Sequence, residues 1–472
     1  MGSIVEAIKG AQIELAKVSG SGAKVVRLLR ITRIFATELL GSLAIVPYGV
    51  RAMRIHQSLP QAKHSLHTPS ISICKNIAYS NRTRTVMDIY IPGQQAAPSQ
   101  CSHKKGTWQN LPDSANRSMS DSAAAHSGNS DSDSAKEQFP VALFCHGGVW
   151  ATGSKWHYAP MASQLAKAGI LTCVIQYSLY PDALAPQMVD ELSQALTWTF
   201  LNISKHGGNP NQVSLLGHSA GGQMCAMALL HRAKALSKRT KLERRSNGHQ
   251  QELAPAQDRM PARFIGIAGV YDIETHYQYE FGRGVAELST MKRAMGGRHK
   301  FQSQSPALIL NAACGRKATM QVPDQAQGGM VEIKPGSRVW QGSLEEAGML
   351  PPVTLMSSTA DIIVPWQQSE EFYQVLQECK LPVKHHVYDN IPHAGFVVDW
   401  SDKDTATQGS AQQPQNQLGP AQVFELDPAR QLVSWASHNG REACEVSATQ
   451  SAAGSQSPFD QSTVLNRRCS RL

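Results

Sequence analysis

Short apolar or β-branched runs recur along the chain at Val86–Ile91, Val141–Cys145, Ile170–Ile175, Val213–Leu216, Phe264–Ala268, Val353–Met356 and Val383–Val387. Runs of this length with little polar alternation predict strands covered on both faces. Between most of them lie stretches of helical length: Trp156–Lys167, Gln187–Ser204, Ala220–Ala235 and Trp366–Cys379. Strand and helix in alternation predict an α/β fold, with a mostly parallel central sheet and helices on both faces. Active residues in such a fold collect at the carboxyl ends of the strands.

Four segments break the pattern: 97–137 is rich in Ser, Ala, Asp and Asn, 236–262 is basic and polar, 312–350 is rich in Gly and Gln, and 402–422 is Gln-rich. None sustains an apolar period, so each is expected to be a loop or disordered insertion, as is the Ser-rich tail after about Val433. The patterned stretches 68–96, 138–235, 263–311 and 351–401 then form one domain dispersed over 68–401, followed by a low-complexity region, 402–472.

Residues 1–60 read differently. Lys24, Arg27, Arg30 and Arg33 recur every third position beside Val25, Val26, Leu28, Leu29, Ile31 and Ile34. A helix here is cationic on one side and apolar on the other, which suits an anionic membrane interface; packing on the protein's own core is the plainer alternative. The apolar stretch Ile34–Val50 has 17 residues and is broken by Glu38, Gly41, Pro47 and Gly49. It is shorter than the roughly 20 residues that span a bilayer. Because the segment is Arg-rich and acid-poor, an organellar transit peptide is a further alternative, whereas no cleaved secretory signal is expected.

Composition narrows the function. The chain has 472 residues, is 41% hydrophobic and carries a formal charge of +9. The excess sits in two places: eight Lys/Arg against three Glu in 1–60, and seven against one in 232–245. No basic stripe with interleaved aromatics is left to read nucleic acid, so no nucleic-acid partner is expected. The nine cysteines form no C-x-x-C pair, which argues against a zinc site or a disulfide framework and for mostly free thiols. Cys145 and Cys225 fall in apolar runs, where cysteine behaves as a small hydrophobe.

The candidate chemistry lies at strand ends. Gly217-His218-Ser219-Ala220-Gly221 follows the run Val213–Leu216 and precedes a helix. A sharp strand-to-helix turn of that kind projects Ser219 Oγ as a nucleophile, and small flanking residues let the chain turn so tightly; a helix N-terminus with a capping serine is the bland alternative. Cys145-His146-Gly147-Gly148-Val149-Trp150 also follows a strand. The N–H groups of Gly147, Gly148 and Ala220 are the candidate oxyanion donors. Asp361 and His393 stand on loops after the two last strands, so that the order is Ser219, Asp361, His393. Asp389 is the rival acid, although it shares a loop with His393, and His385 and His386 fall inside a strand. The implied chemistry is acyl transfer, with His393 as base and Asp361 orienting it, and it calls for no metal and no organic cofactor. Trp150, Tyr177 and the segment Tyr277–Leu288 are candidates to line or cover the substrate pocket, with aromatic core packing as the alternative.

The wording around these motifs resembles a known family. His146–Lys155, Gln176-Tyr177-Ser178-Leu179-Tyr180-Pro181, His206-Gly207-Gly208-Asn209-Pro210 and Gly217–Gly222 are similar to the isoprenylcysteine methylesterases of plants, within the α/β-hydrolase fold. Asn76–Tyr79, Asp88–Pro92 and Ser305-Pro306 extend the likeness over most of the patterned core. The resemblance implies hydrolysis of the methyl ester on a prenylated C-terminal cysteine, by a membrane-associated enzyme of the endoplasmic reticulum and Golgi. Two positions depart from the family: Val149 stands where a third glycine is common, and Gly222 where the plant proteins carry alanine. Small-ester carboxylesterases and arylformamidases share the same motifs and form the second reading, with a small-molecule ester as substrate. A catalytically silent ligand-binding hydrolase fold is the third; such proteins usually lose a triad member, and here all three stand.

Overall fold

The computed structural model describes residues 10–12, 15–16, 18–62, 70–93, 138–245, 256–257, 259–314, 320–324, 329–333, 347–398, 425–427 and 432–434. The insertion 97–137 and the segment 402–422 lie outside the described residues.

Strands β1 (Ile71–Ala78), β2 (Val86–Pro92), β3 (Phe139–Cys145), β4 (Leu171–Ile175), β5 (Gly208–His218) and β6 (Arg263–Ile267) join two later strands, β9 (Val353–Ser358) and β10 (Val383–Tyr388), in one eight-stranded sheet. The order is β1-β2-β4-β3-β5-β6-β9-β10, and β2 alone runs against the rest. That order and direction, with helices on both faces, is the α/β-hydrolase fold. Between them, β7 (Met320–Asp324) and β8 (Gly329–Ile333) pair as a hairpin; near the C-terminus β11 (Glu425–Asp427) pairs with β12 (Leu432–Ser434). Paired strands therefore occur within the expected loop 312–350.

Strand alternation feeds two cores. Val141, Leu143 and Cys145 face one cluster with Leu192 and Leu196 of helix α3 (Ala185–Asn202), Met224 and Met227 of α4 (Ala220–Arg245), and Phe372 and Leu376 of α8 (Gln367–Glu378). Ala142 and Phe144 face the other, with Met161 and Leu165 of α2 (Ala159–Lys167) and Phe396 of the short α9 (Gly395–Val398). A strand buried on both sides has no polar positions to alternate, which is why its sequence reads as a continuous apolar run.

Several expectations need correction. Helix α4 does not stop at Ala235 but runs through the basic stretch to Arg245. Arg232 within it is buried, its guanidinium spent on the carbonyls of Ser193, Ala256 and Arg259 and on Thr197 Oγ1, so it adds nothing to a basic surface. Cys314 and Cys379 are joined in a disulfide, 65 residues apart. They cap the C-termini of α8 and of α7 (Pro306–Ala313), which the chain brings to a Cα–Cα distance of 6.2 Å. Local spacing carries no trace of such a pairing. Among the described residues Cys74, Cys145, Cys173 and Cys225 are free.

Helix α1 (Ser21–Ser58) continues through Gly41, Pro47 and Gly49, which the sequence pattern reads as breaks. An interior proline costs a helix about 3 kcal/mol, and tertiary contacts on its far side offset that cost. Ala52 is fully buried, and the single Tyr48 hydroxyl hydrogen goes to the His157 carbonyl, with the Val397 carbonyl 3.4 Å away. His56 Nε2 lies 2.8 Å from the buried Asp88, whose other oxygen meets Lys155 Nζ at 2.9 Å. Burial alone would raise the Asp88 carboxyl, yet the bonds from His56 and Lys155 hold it below its ordinary value. Residues 46–58 thus dock on the domain, while Val25, Val26, Leu28 and Leu29 are each at least half exposed and Ile31 beyond them is buried. Among the described residues no helix is long and apolar enough to cross a membrane.

Candidate active site

Ladder register brings the ends of five strands to one rim: Cys145 pairs with Gly217, His218 with Ile267, Ile267 with Met356, and Ser358 with Tyr388. Every expected catalytic residue lies just beyond this rim.

Between the end of β5 at His218 and the start of α4 at Ala220, Ser219 alone makes the turn, with φ +55°. Its N–H donates to Ile267 O and its carbonyl accepts from Gly222 N–H, both at 2.9 Å. Only glycine fits on either side: a Cβ at Gly217 would lie 2.5 Å from Gly221 O, and one at Gly221 would lie 2.2 Å from Cys145 O.

Asp361 is buried on the loop after β9. Its Oδ1 accepts from the N–H groups of Ile363 (2.8 Å) and Val364 (2.9 Å), and Oδ2 lies 2.7 Å from His393 Nδ1. A carboxylate only accepts, so Nδ1 carries the hydrogen and Nε2 keeps its lone pair, the state a general base requires. The rival Asp389 is exposed, and its carboxylate accepts from the Thr359 hydroxyl at 3.4 Å, not from His393. His385 is committed to Glu370 Oε2 (2.9 Å) and Ser357 Oγ (2.8 Å).

Ser219 and His393 stand on neighbouring loops linked through His218, a residue that sequence reasoning passed over. His218 Nε2 donates to the His393 carbonyl at 3.0 Å, with the two rings 4.7 Å apart. No hydrogen bond joins the Ser219 hydroxyl to His393 in this structure, and such bonds commonly tighten only once substrate is bound. Burial, then the nearby His393, pushes the His218 imidazole down to about 3, so it is neutral and acts as a strut.

In the turn after β3, carbonyl anchors determine where the amides point, because C=O and the following N–H of a trans peptide are opposed. His146 Nδ1 donates to Gly147 O (2.7 Å), which aims Gly148 N–H the other way. Ala151 N–H, Thr152 N–H and Thr152 Oγ1 all donate to Gly148 O, which aims Val149 N–H. Gly147 N–H instead faces the buried phenol of Tyr158, raised by burial well above its ordinary range. Among the described residues the amides of Gly148, Val149 and Ala220 donate to no protein acceptor. Gly148 and Ala220 thus remain as expected donors, while Val149 stands in the place expected of Gly147. The part Gly147 plays is steric: a Cβ there would lie 2.8 Å from Ser219 Cβ. The turn is strained, with Gly148, Val149 and Trp150 at φ +120°, +52° and +57°. For the two non-glycine residues this costs about 1–3 kcal/mol each.

Trp150 and Tyr177, expected at the pocket surface, are buried at 2% and 0% exposure. The Trp150 indole N–H donates to Gln223 Oε1 (3.1 Å). The Tyr177 hydroxyl donates to His146 O (2.8 Å), and its ring stacks on His146 at 4.4 Å. Both brace the wall of the site instead of presenting open surface, because their polar ends are spent on the turn and on the elbow helix. Burial lowers His146 to about 4, which keeps it the neutral donor this arrangement needs.

Helix α5 (Ile273–Arg283), within the expected pocket segment, packs close to the Asp361–His393 pair. Burial, then His393, pushes His276 down to about 3, and its Nε2 lies 3.7 Å from Glu280 Oε1. Burial raises Glu280 to about 8. A carboxyl whose pKa is higher folded than unfolded loses stability as pH rises from about 4.5 to about 8, by about 1.4 kcal/mol per unit. Glu280→Gln keeps the shape without the titration. Urea unfolding at pH 5 and pH 8 should therefore show the variant gaining on the wild type at the higher pH; a constant difference would count against a neutral buried Glu280.

The family described as BD-FAE matches residues 131–312. A probable isoprenylcysteine alpha-carbonyl methylesterase (ICMEL1) of Oryza sativa subsp. japonica is 24% identical over 329 residues, 70% of this chain and 59% of that protein. The isoprenylcysteine alpha-carbonyl methylesterase of Arabidopsis thaliana is 23% identical over 435 residues, 88% of this chain and 81% of that protein. Esterase LipC of Mycobacterium tuberculosis is 31% identical over 148 residues, 31% of this chain and 34% of that protein. This chain spans 59% of the length of that rice protein and 52% of a second one, a probable isoprenylcysteine alpha-carbonyl methylesterase (ICME). Among solved structures, esterase B from Lactobacillus rhamnosis aligns with a TM-score of 0.46 at 12% identity, over 78% of this chain and 90% of that one.

Proposed function

For this chain, an α/β-hydrolase similar to the isoprenylcysteine alpha-carbonyl methylesterases, we propose hydrolysis of a carboxylic ester by a serine nucleophile. The observation that carries it is the Asp361–His393 pair at 2.7 Å, together with a Ser219 elbow and the amides of Gly148, Val149 and Ala220, which meet no acceptor among the described residues. Ser219 Oγ attacks the ester carbonyl as His393 Nε2 takes its proton, and the Gly148, Val149 and Ala220 amides receive the oxyanion. Collapse expels the alcohol, protonated by His393, and water attacking the acyl-enzyme by the reverse proton path releases the acid and frees Ser219.

The finer reading is a methyl ester on a prenylated cysteine, presented at a membrane of the endoplasmic reticulum or Golgi. Two things support it: the names of the plant relatives, and the exposed apolar and cationic start of α1, which could lie in an anionic interface while 46–58 stays docked. The test is fluorophosphonate labelling followed by a panel of a prenylcysteine methyl ester, a short p-nitrophenyl ester and an N-formyl arylamine. Labelling at Ser219 with preference for the prenylated ester is expected; turnover of the other two alone favours the small-ester or formamidase reading, and absence of labelling removes the serine mechanism. Sedimentation with anionic vesicles should fall with Lys24→Glu and Arg33→Glu. Charge substitution is preferable to deleting 1–60, which would also remove the His56–Asp88 contact.

A further inference from the structure

Holding the oxyanion turn in its strained form takes more than its own residues. Gly147 O and Gly148 O are anchored from within, by His146, Ala151 and Thr152. The next carbonyl, that of Val149, is anchored from far along the chain: Thr290 Oγ1 donates to it at 2.7 Å, across 141 residues. Val149 is the residue with most reason to escape, since a β-branched side chain at φ +52° is a conformational outlier. A glycine there would adopt that φ freely.

The anchor is itself rigid. Thr290 is 5% exposed and precedes helix α6 (Met291–Ala294), whose Ala294 N–H donates to Thr290 O at 2.8 Å. Glu287 just before it accepts from Tyr277 Oη (3.0 Å) and pairs with Lys292 Nζ (2.9 Å), which ties the segment to α5. A hydroxyl so fixed holds the Val149 carbonyl in place, and the Val149 conformation with it.

We propose that Thr290 is a positioning residue for ester hydrolysis: its hydroxyl clamps the left-handed Val149 and so keeps the neighbouring amides aimed at the developing oxyanion. The inference rests on the ester-hydrolase reading above. It explains how this chain keeps a valine at φ +52° in the turn, since the strain is balanced by a bond from a second element.

In the full-length chain, Thr290→Val removes the hydroxyl at constant shape. It should lower kcat about tenfold with KM within about twofold, a fraction of the loss when an oxyanion donor is deleted. Thr290→Ser keeps the hydroxyl and should retain kcat within about twofold. With Val149→Gly as the background the strain is gone, and the Thr290→Val factor should shrink to below about threefold. Thermal midpoints measured on every variant read stability separately, and Thr290→Ala carries the comparison should the valine chain not fold. Wild-type kcat in Thr290→Val, a serine variant as slow as the valine one, or the same factor in both backgrounds overturns the proposal. If the wild type is active and labelled at Ser219 while the Thr290 series is flat, the clamp alone falls; if the wild type is neither active nor labelled, the hydrolase reading falls and takes the clamp with it.

Discussion

Ser219→Ala is expected to reduce kcat for ester hydrolysis by about 10⁴- to 10⁶-fold, because a nucleophile, base and orienting acid act as a unit and loss of the first removes the covalent route. The fold should survive the change. The Ser219 backbone bonds to Ile267 and Gly222 do not involve the side chain, and alanine meets the same φ of +55° as serine. Circular dichroism should match the wild type, and the fluorophosphonate should no longer label the protein. A variant that retains a hundredth or more of the wild-type rate would exclude Ser219 as the nucleophile.

Asp361→Asn should cost about 10⁴-fold in kcat with little change in the structure around it. An amide in place of Oδ2 presents either a donor or a weaker acceptor to His393 Nδ1, which favours the tautomer with hydrogen on Nε2, where it cannot accept a proton from serine. The Oδ1 bonds to Ile363 and Val364 can still form with an amide oxygen, so the loop should keep its shape. Asp389→Asn is the control. That residue is exposed and its carboxylate accepts from the Thr359 hydroxyl, away from His393, so its rate should stay within about twofold of the wild type. Comparable losses at both positions would mean that the acid has been placed on the wrong loop.

Much of this was legible in the residues themselves. Short apolar or β-branched runs marked seven of the eight sheet strands: inner strands packed on both sides leave few polar positions, and edge strand β10 was marked by its β-branched ends, Val383 and Val387. The missing one, β1, alternates buried and exposed residues at the sheet edge, so Ile71–Ala78 carries no continuous run. Ser219, Asp361 and His393 were legible because a strand-to-helix turn tolerates so few residues and because the fold imposes their order. Trp150 and Tyr177 stayed open between pocket lining and core packing because large aromatics serve both equally well until their polar ends are seen. The Pro47 break failed for a different reason: propensity is local, and Tyr48, Ala52 and His56 gain contacts with segments a hundred or more residues away or with Asp88.

What the sequence determined by itself was the strand ends and the candidate nucleophile, acid and base they bear, because those depend on short-range requirements: periodicity, small residues at a tight turn, a donor or a nucleophile of the right type. Only the tertiary structure decided which amides are free, that His218 struts the base, that Cys314 meets Cys379, and that a threonine 141 residues away secures Val149. Each of those depends on the direction of a single bond between segments distant in the chain, and direction is set when the sheet and its loops pack together.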